Sequence, residues 1–316
     1  MTLNQINYLN IVLMFISCAF AFYMPYEAFL FSYAVLGPLH YLTEISWLHD
    51  RNYFTSGKYD YLFLIVPAFP VALGLDYQLL PGVFSNTLLV WIAFASALGM
   101  VLFKRPLQKI LLGVAVFFCG MVLSGVPGFS MIISLMLPTI IHVYVFTGLF
   151  ILYGALKSDS FSGYLSFAVF LFCGLIFFIF TPPAEHYILG SYVKNAIEPF
   201  KPVQAELVRM FGLEGSWDVL VAVMRFIAFA YTYHYLNWFS KTKVIGWHEI
   251  SRDRLILIVT GWIFAVTLYA FNYTVGLVAL LLLSFLHVLL EFPLNHVSIV
   301  GIGRELNKRF ASSANS

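Results

Sequence analysis

Four of the eight histidines, His40, His142, His234 and His287, lie inside long apolar runs. An ionisable group in hydrocarbon is expensive unless it is paired or coordinated, and neutral imidazole is the commonest side-chain metal ligand. Two of the four are followed four residues later by a carboxylate, Glu44 after His40 and Glu291 after His287. Positions i and i+4 share one helical face about 6 Å apart in rise, so each helix can offer an imidazole and a carboxylate together. The longer pattern repeats as well. HYLTEISWLH from His40 to His49 and HVLLEFPLNH from His287 to His296 are both H-x3-E-x4-H. HYLNWFS from His234 matches HYLTEIS at four of seven positions, with Trp238 in the place of Glu44. Four imidazoles with one or two carboxylates suit non-haem iron, mononuclear or dinuclear, and zinc is the other metal such ligands accept. Glu44 and Glu291 would serve as ligands or as the base.

Other polar residues are weaker members of this set. His49, His248 and His296 fall near span ends and define a second candidate site. Nine residues on a regular helix is about half a turn out of phase, so His49 faces away from His40, whereas Pro293 could kink its helix and bring His296 round. Tyr144 and Asn237 are candidate hydrogen-bond partners that would orient the imidazoles. Arg225, inside an apolar run, could hold an anionic head group or turn outward. Cys18, Cys119 and Cys173 all sit in apolar runs without CxxC spacing and read as small hydrophobes. HExxH, P-loop, GxSxG and DDxxD patterns do not occur, which leaves protease, nucleotidase, serine-hydrolase and prenyltransferase readings without support.

These residues must be positioned by membrane helices. Of 316 residues 61% are hydrophobic and 10% charged, against about 25% charged in an ordinary soluble domain. That excludes a soluble enzyme, a nucleic-acid binder and a disordered chain. The runs are uniformly apolar rather than alternating, which predicts an all-α polytopic membrane protein and not a barrel. Hydropathy and Gly/Pro punctuation give about ten transmembrane helices, near 6–23, 25–48, 59–80, 86–103, 107–126, 128–156, 161–180, 217–240, 254–272 and 274–300. Thirteen of the 17 Lys and Arg then fall on one side, which places both termini in the cytoplasm. The chain is expected to form a single transmembrane domain in a bacterial inner membrane. Its one long loop, 181–216, carries an outer-face interfacial helix with the stripe Val203, Leu207, Met210 and Phe211 behind Pro202. At 1.5 Å per residue the four intramembrane histidines lie roughly 20–26 Å below the outer ends of their spans. All four are on even-numbered spans, at one depth.

At Gly37-Pro38-Leu39-His40, with an acidic residue four after the histidine, the chain resembles the Brp/Blh family of membrane carotene dioxygenases. The resemblance implies iron held by histidines on several transmembrane helices, cleavage of a carotenoid, and His40 as a ligand. The chain departs from that family in the proline position, in lacking a glycine after His40 and in lacking an HxxxH pair late in the sequence. The HxxxH and HxxHH boxes of membrane desaturases are not present either. The leading expectation is a metal-dependent oxidoreductase that takes a lipophilic small molecule from the bilayer, with membrane lipids as its surroundings. Two alternatives are a b-type haem electron carrier with histidines as axial ligands, and a metal-ion or proton transporter using His and Glu as a relay.

Overall fold

The computed structural model describes residues 2–73, 85–184, 187–241 and 250–313, and every regular element in them is helical. In chain order these are α1 (Leu3–Tyr23), α2 (Pro25–Phe31), α3 (Gly37–Asp50), α4 (Asp60–Ala72), α5 (Asn86–Leu102), α6 (Pro106–Leu123), α7 (Thr147–Ser158), α8 (Phe161–Ile179), α9 (Ser191–Ala196), α10 (Lys201–Met210), α11 (Trp217–Ser240), α12 (Arg252–Phe271) and α13 (Tyr273–Ser313). Two wider π-helical stretches, Ser32–Leu36 and Met131–Phe146, lead into α3 and α7. Helix occupies part of each of the ten predicted stretches, although 74–80 of the third lies outside the described residues. Seven helical segments among the described residues are long and apolar enough to cross a membrane. On that basis the chain is a membrane protein, all-helical in its described residues; α4 and α5 are apolar but shorter.

Local chemistry explains the boundaries. Thr2 forms a capping box with Gln5 at the start of α1. Ser85, Ser160, Ser216 and Ser251 accept a backbone N–H at the starts of α5, α8, α11 and α12, each satisfying a donor that the helix cannot. The π turns have a cause too. Pro38 and Pro138 lack an N–H and would collide with the carbonyl four residues back. A widened turn beside or around each proline accommodates that missing bond.

The described chain divides into two compact units, one of residues 1–37, 139–249 and 305–316, the other of 38–138 and 250–304. In the first, α11 is central: every residue from Val221 to Tyr235 is buried, and α1, α2, α8 and α10 pack on it. A continuous buried run of this kind marks a helix enclosed by protein, not an amphipathic surface helix. Arg225 stays inside because it finds a partner there. Its Nε donates to the carbonyl of Phe22 at 3.1 Å and its guanidinium lies over the Phe22 ring. It thus satisfies an end carbonyl of α1, whose last turn has no basic residue of its own. Replacing Arg225 by leucine should destabilise the protein by about 2 kcal/mol, the worth of a charged hydrogen bond, read as a lower unfolding midpoint in detergent.

The loop after α8 contains the predicted short helix, α10, with Pro202 in its first turn. Val203 and Leu207 of the stripe are buried, and Met210 and Phe211 are exposed. Gln204 and Val208 are buried instead. The reason is a polar anchor: Gln204 donates to the Tyr26 hydroxyl at 2.9 Å and to the Leu220 carbonyl at 2.7 Å, which turns that face toward α11.

In the second unit α5 packs on α4 and α6. His296 on α13 reaches the Phe94 carbonyl of α5, and the Phe94 and Phe292 rings meet edge to face. From His287 to Pro293 every residue of α13 is buried. By contrast α12 buries only Ile258 and Tyr269 and exposes Ile256, Leu257 and Phe264, the pattern of a lipid-facing helix.

Candidate metal centre

The second unit holds both H-x3-E helices, and they meet at their first histidines. His40 on α3 and His287 on α13 lie with ring centroids 5.3 Å apart, nearly perpendicular. One turn along α3, Glu44 Oε2 is 3.0 Å from His40 Nε2. One turn along α13 is Glu291. All four side chains are essentially enclosed, at 1–3% exposure. Tyr41, next to His40, stacks on the His287 ring at 4.2 Å.

The geometry assigns different jobs to the two nitrogens of His40. A carboxylate this close to Nε2 biases the ring toward offering its other nitrogen, Nδ1, to a metal. Glu44 is close enough to His40 to pair with it. Glu291 is placed as a ligand in its own right.

The first unit holds the other two intramembrane histidines, and it also pairs them. His142, in the π-helical stretch before α7, and His234 on α11 have ring centroids 5.0 Å apart and are 1% and 5% exposed. Thr147 Oγ1 lies 2.8 Å from His234 Nδ1, so Nε2 of that ring is the one presented to a ligand. Thr147 has no distinguishing mark in the sequence beyond being a hydroxyl five residues after His142, about one π turn, in an apolar run.

Among the described residues, the buried side chains placed to hold a metal ion are His40, His142, His234, His287 and Glu291. The other candidates have different surroundings. His49 is exposed, with Nδ1 3.4 Å from the Tyr53 hydroxyl. His296 is committed to the Phe94 carbonyl at 2.8 Å. Neither belongs to a potential metal-binding group among the described residues, and His248 lies outside those residues. Tyr144 is a packing residue: its ring stacks on Phe170 and meets Phe226 edge to face, with its hydroxyl over Gly174. Asn237 is buried three residues after His234 and lines a small cavity of about 130 Å³ with Asn10, Tyr233 and Lys241.

Comparison with protein families, with curated proteins and with solved structures found no match to this chain.

Proposed function

We propose that the protein is an integral-membrane, metal-dependent oxidoreductase whose metal, mononuclear or dinuclear, is held by His40, His142, His234 and His287. Its metal is non-haem iron and its substrate a lipophile drawn from the bilayer, of the carotenoid, isoprenoid or lipid class. The observation that carries this reading is the repeated H-x3-E device, two imidazoles and two carboxylates enclosed together on α3 and α13. Burying four titratable groups so completely is costly in lipid unless something of opposite charge is shared among them. A divalent cation compensates the carboxylates and uses the neutral imidazoles as ligands.

The donor chemistry favours iron. A mixed imidazole and carboxylate set suits iron, whereas thiolates, which a structural zinc site commonly uses, are far from these positions in sequence. Iron bound there would supply dioxygen activation. The chain's own residues would do the rest: Glu44 steadies the His40 ring, Thr147 fixes His234, and the buried run from His287 to Pro293 excludes bulk water. A haem reading fits less well, because Glu44 engages the Nε2 atom that an axial histidine normally gives to haem iron. The resemblance at Gly37-Pro38-Leu39-His40 puts carotenoids first among the substrates to try. The ten-span topology with both termini cytoplasmic, in a bacterial inner membrane, belongs to the same proposal.

The test is direct. Membranes containing the protein, given ferrous iron, dioxygen and β-carotene, should bleach the carotenoid, and membranes with the His287→Ala variant should not. A Soret band in the purified protein would replace this reading with the haem one. Thr147→Val, which removes only a hydroxyl, should weaken metal binding about 10–100-fold, measured by competition with a chromogenic chelator.

A further inference from the structure

The second unit also holds a cavity that none of the metal candidates lines. It runs between α4, α5 and α6 with a volume of about 650 Å³, within the size range of small-molecule sites. Along α6 its lining extends from Pro106 to Phe118, about 18 Å of helix. The walls are apolar, with Phe63 and Phe117 among them.

Three features make it more than a gap between helices. At one end Lys109 Nζ donates to Asp60 Oδ2 at 2.6 Å, both side chains being less than one-fifth exposed. Lys58, Lys104 and Arg105, next in the chain to this end, are exposed. Three further cations thus lie within five residues of this ion pair in the chain. Partway down, Ser96 is buried at 7% exposure, lines the cavity, and its hydroxyl has no hydrogen-bond partner. A buried hydroxyl normally has one. Ser96 is one turn of α5, about 6 Å, beyond Met100, which lines the cavity too. Gly113 is the third feature. A Cβ built there meets nothing within 4 Å, so α6 keeps a poor helix former at a position where a larger residue would fit.

We propose that this cavity binds one glycerophospholipid with an anionic headgroup. The phosphate lies among Lys109, Lys58 and Arg105, the Ser96 hydroxyl donates to an acyl-ester carbonyl, and one acyl chain follows α6 past Gly113 to Phe118. Charge selects the headgroup, because juxtamembrane cations attract anionic lipid over zwitterionic lipid. The buried hydroxyl selects an ester-bearing chain over a plain hydrocarbon.

Native mass spectrometry of the intact protein in detergent, titrated with phosphatidylglycerol and with phosphatidylcholine, tests this. The wild type should retain one phosphatidylglycerol with a preference over phosphatidylcholine of roughly tenfold or more. Gly113→Trp fills the cavity and should abolish retention of both. Lys109→Gln should bring the two lipids close to parity. Should that variant not fold, the double variant Lys58→Gln/Arg105→Gln, which leaves the Asp60 ion pair intact, should lower the preference alone. Equal retention of the two lipids by the wild type overturns the proposal, as does phosphatidylglycerol binding that survives Gly113→Trp. Preferential retention of a neutral lipophile overturns it as well. Metal content of the same samples reports separately on the histidine centre.

Discussion

Replacing His287 by alanine is expected to strip the protein of its metal. His287 is 2% exposed, one turn before Glu291, beside His40 and under the Tyr41 ring. It is one of the buried side chains that could hold an ion. Losing a residue that merely orients a ligand weakens metal binding about 10–100-fold, so losing a ligand should lower it by at least that much. Retained metal in the purified variant should fall below roughly a tenth of the wild-type ratio. The truncation also leaves a hole against Tyr41, which should lower the unfolding midpoint through lost packing. His287→Gln separates the two effects: it keeps most of the volume and a polar tip, and should recover stability but not metal. Full metal in His287→Ala would remove this residue from the centre.

Gly276→Val should be the most damaging single change away from the histidines. Gly276 sits in the first turn of α13, where the chain doubles back from α12 through Asn272. Its N–H donates to the Asn272 carbonyl at 2.8 Å, and the Asn272 side chain accepts from Val275 at 3.1 Å. A Cβ on Gly276 would lie 2.3 Å from Tyr269 Cα and 2.6 Å from Tyr269 N. Those are backbone atoms and cannot turn aside as a side chain would. Overpacking of this kind costs about 3 kcal/mol, and the hairpin must open to relieve it. The expected readout is a sharply lower unfolding midpoint in detergent. Gly154→Ala on α7 is the control. Nothing lies within 4 Å of its added Cβ, so it should be neutral or stabilising by up to about 1 kcal/mol. Equal behaviour of the two variants would refute the close approach at Tyr269.

Much of this molecule could be read before any coordinates. Helix ends follow serine caps and prolines, and both are written in the chain. His40, His142, His234 and His287 stand out because ionisable groups are rare in apolar runs, and their spacing to Glu44 and Glu291 already implies a shared face. What could not be read depends on direction across the helix bundle. Thr147 orients His234, yet an isolated threonine in an apolar run is ordinary. Tyr41 covers His287, yet one tyrosine among 19 carries no signal. Arg225 looked suited to a headgroup, and its partner proved to be the Phe22 carbonyl, 203 positions away. Of the outer-loop stripe, Val203 and Leu207 are buried and Met210 and Phe211 are exposed, while Gln204 beside them is drawn in by Tyr26 and Leu220. Periodicity identifies a face; it does not identify what the face meets.

The central proposal is that His40, His142, His234 and His287 hold the protein's metal. Elemental analysis by mass spectrometry of the wild type and of His142→Ala, purified in parallel, tests it most directly, because His142 lies on a different helix from both H-x3-E pairs. Stoichiometric iron in the wild type, with a loss of roughly tenfold or more in His142→Ala, is the predicted result. Unchanged stoichiometric metal in His142→Ala, or no metal in either protein, would contradict it.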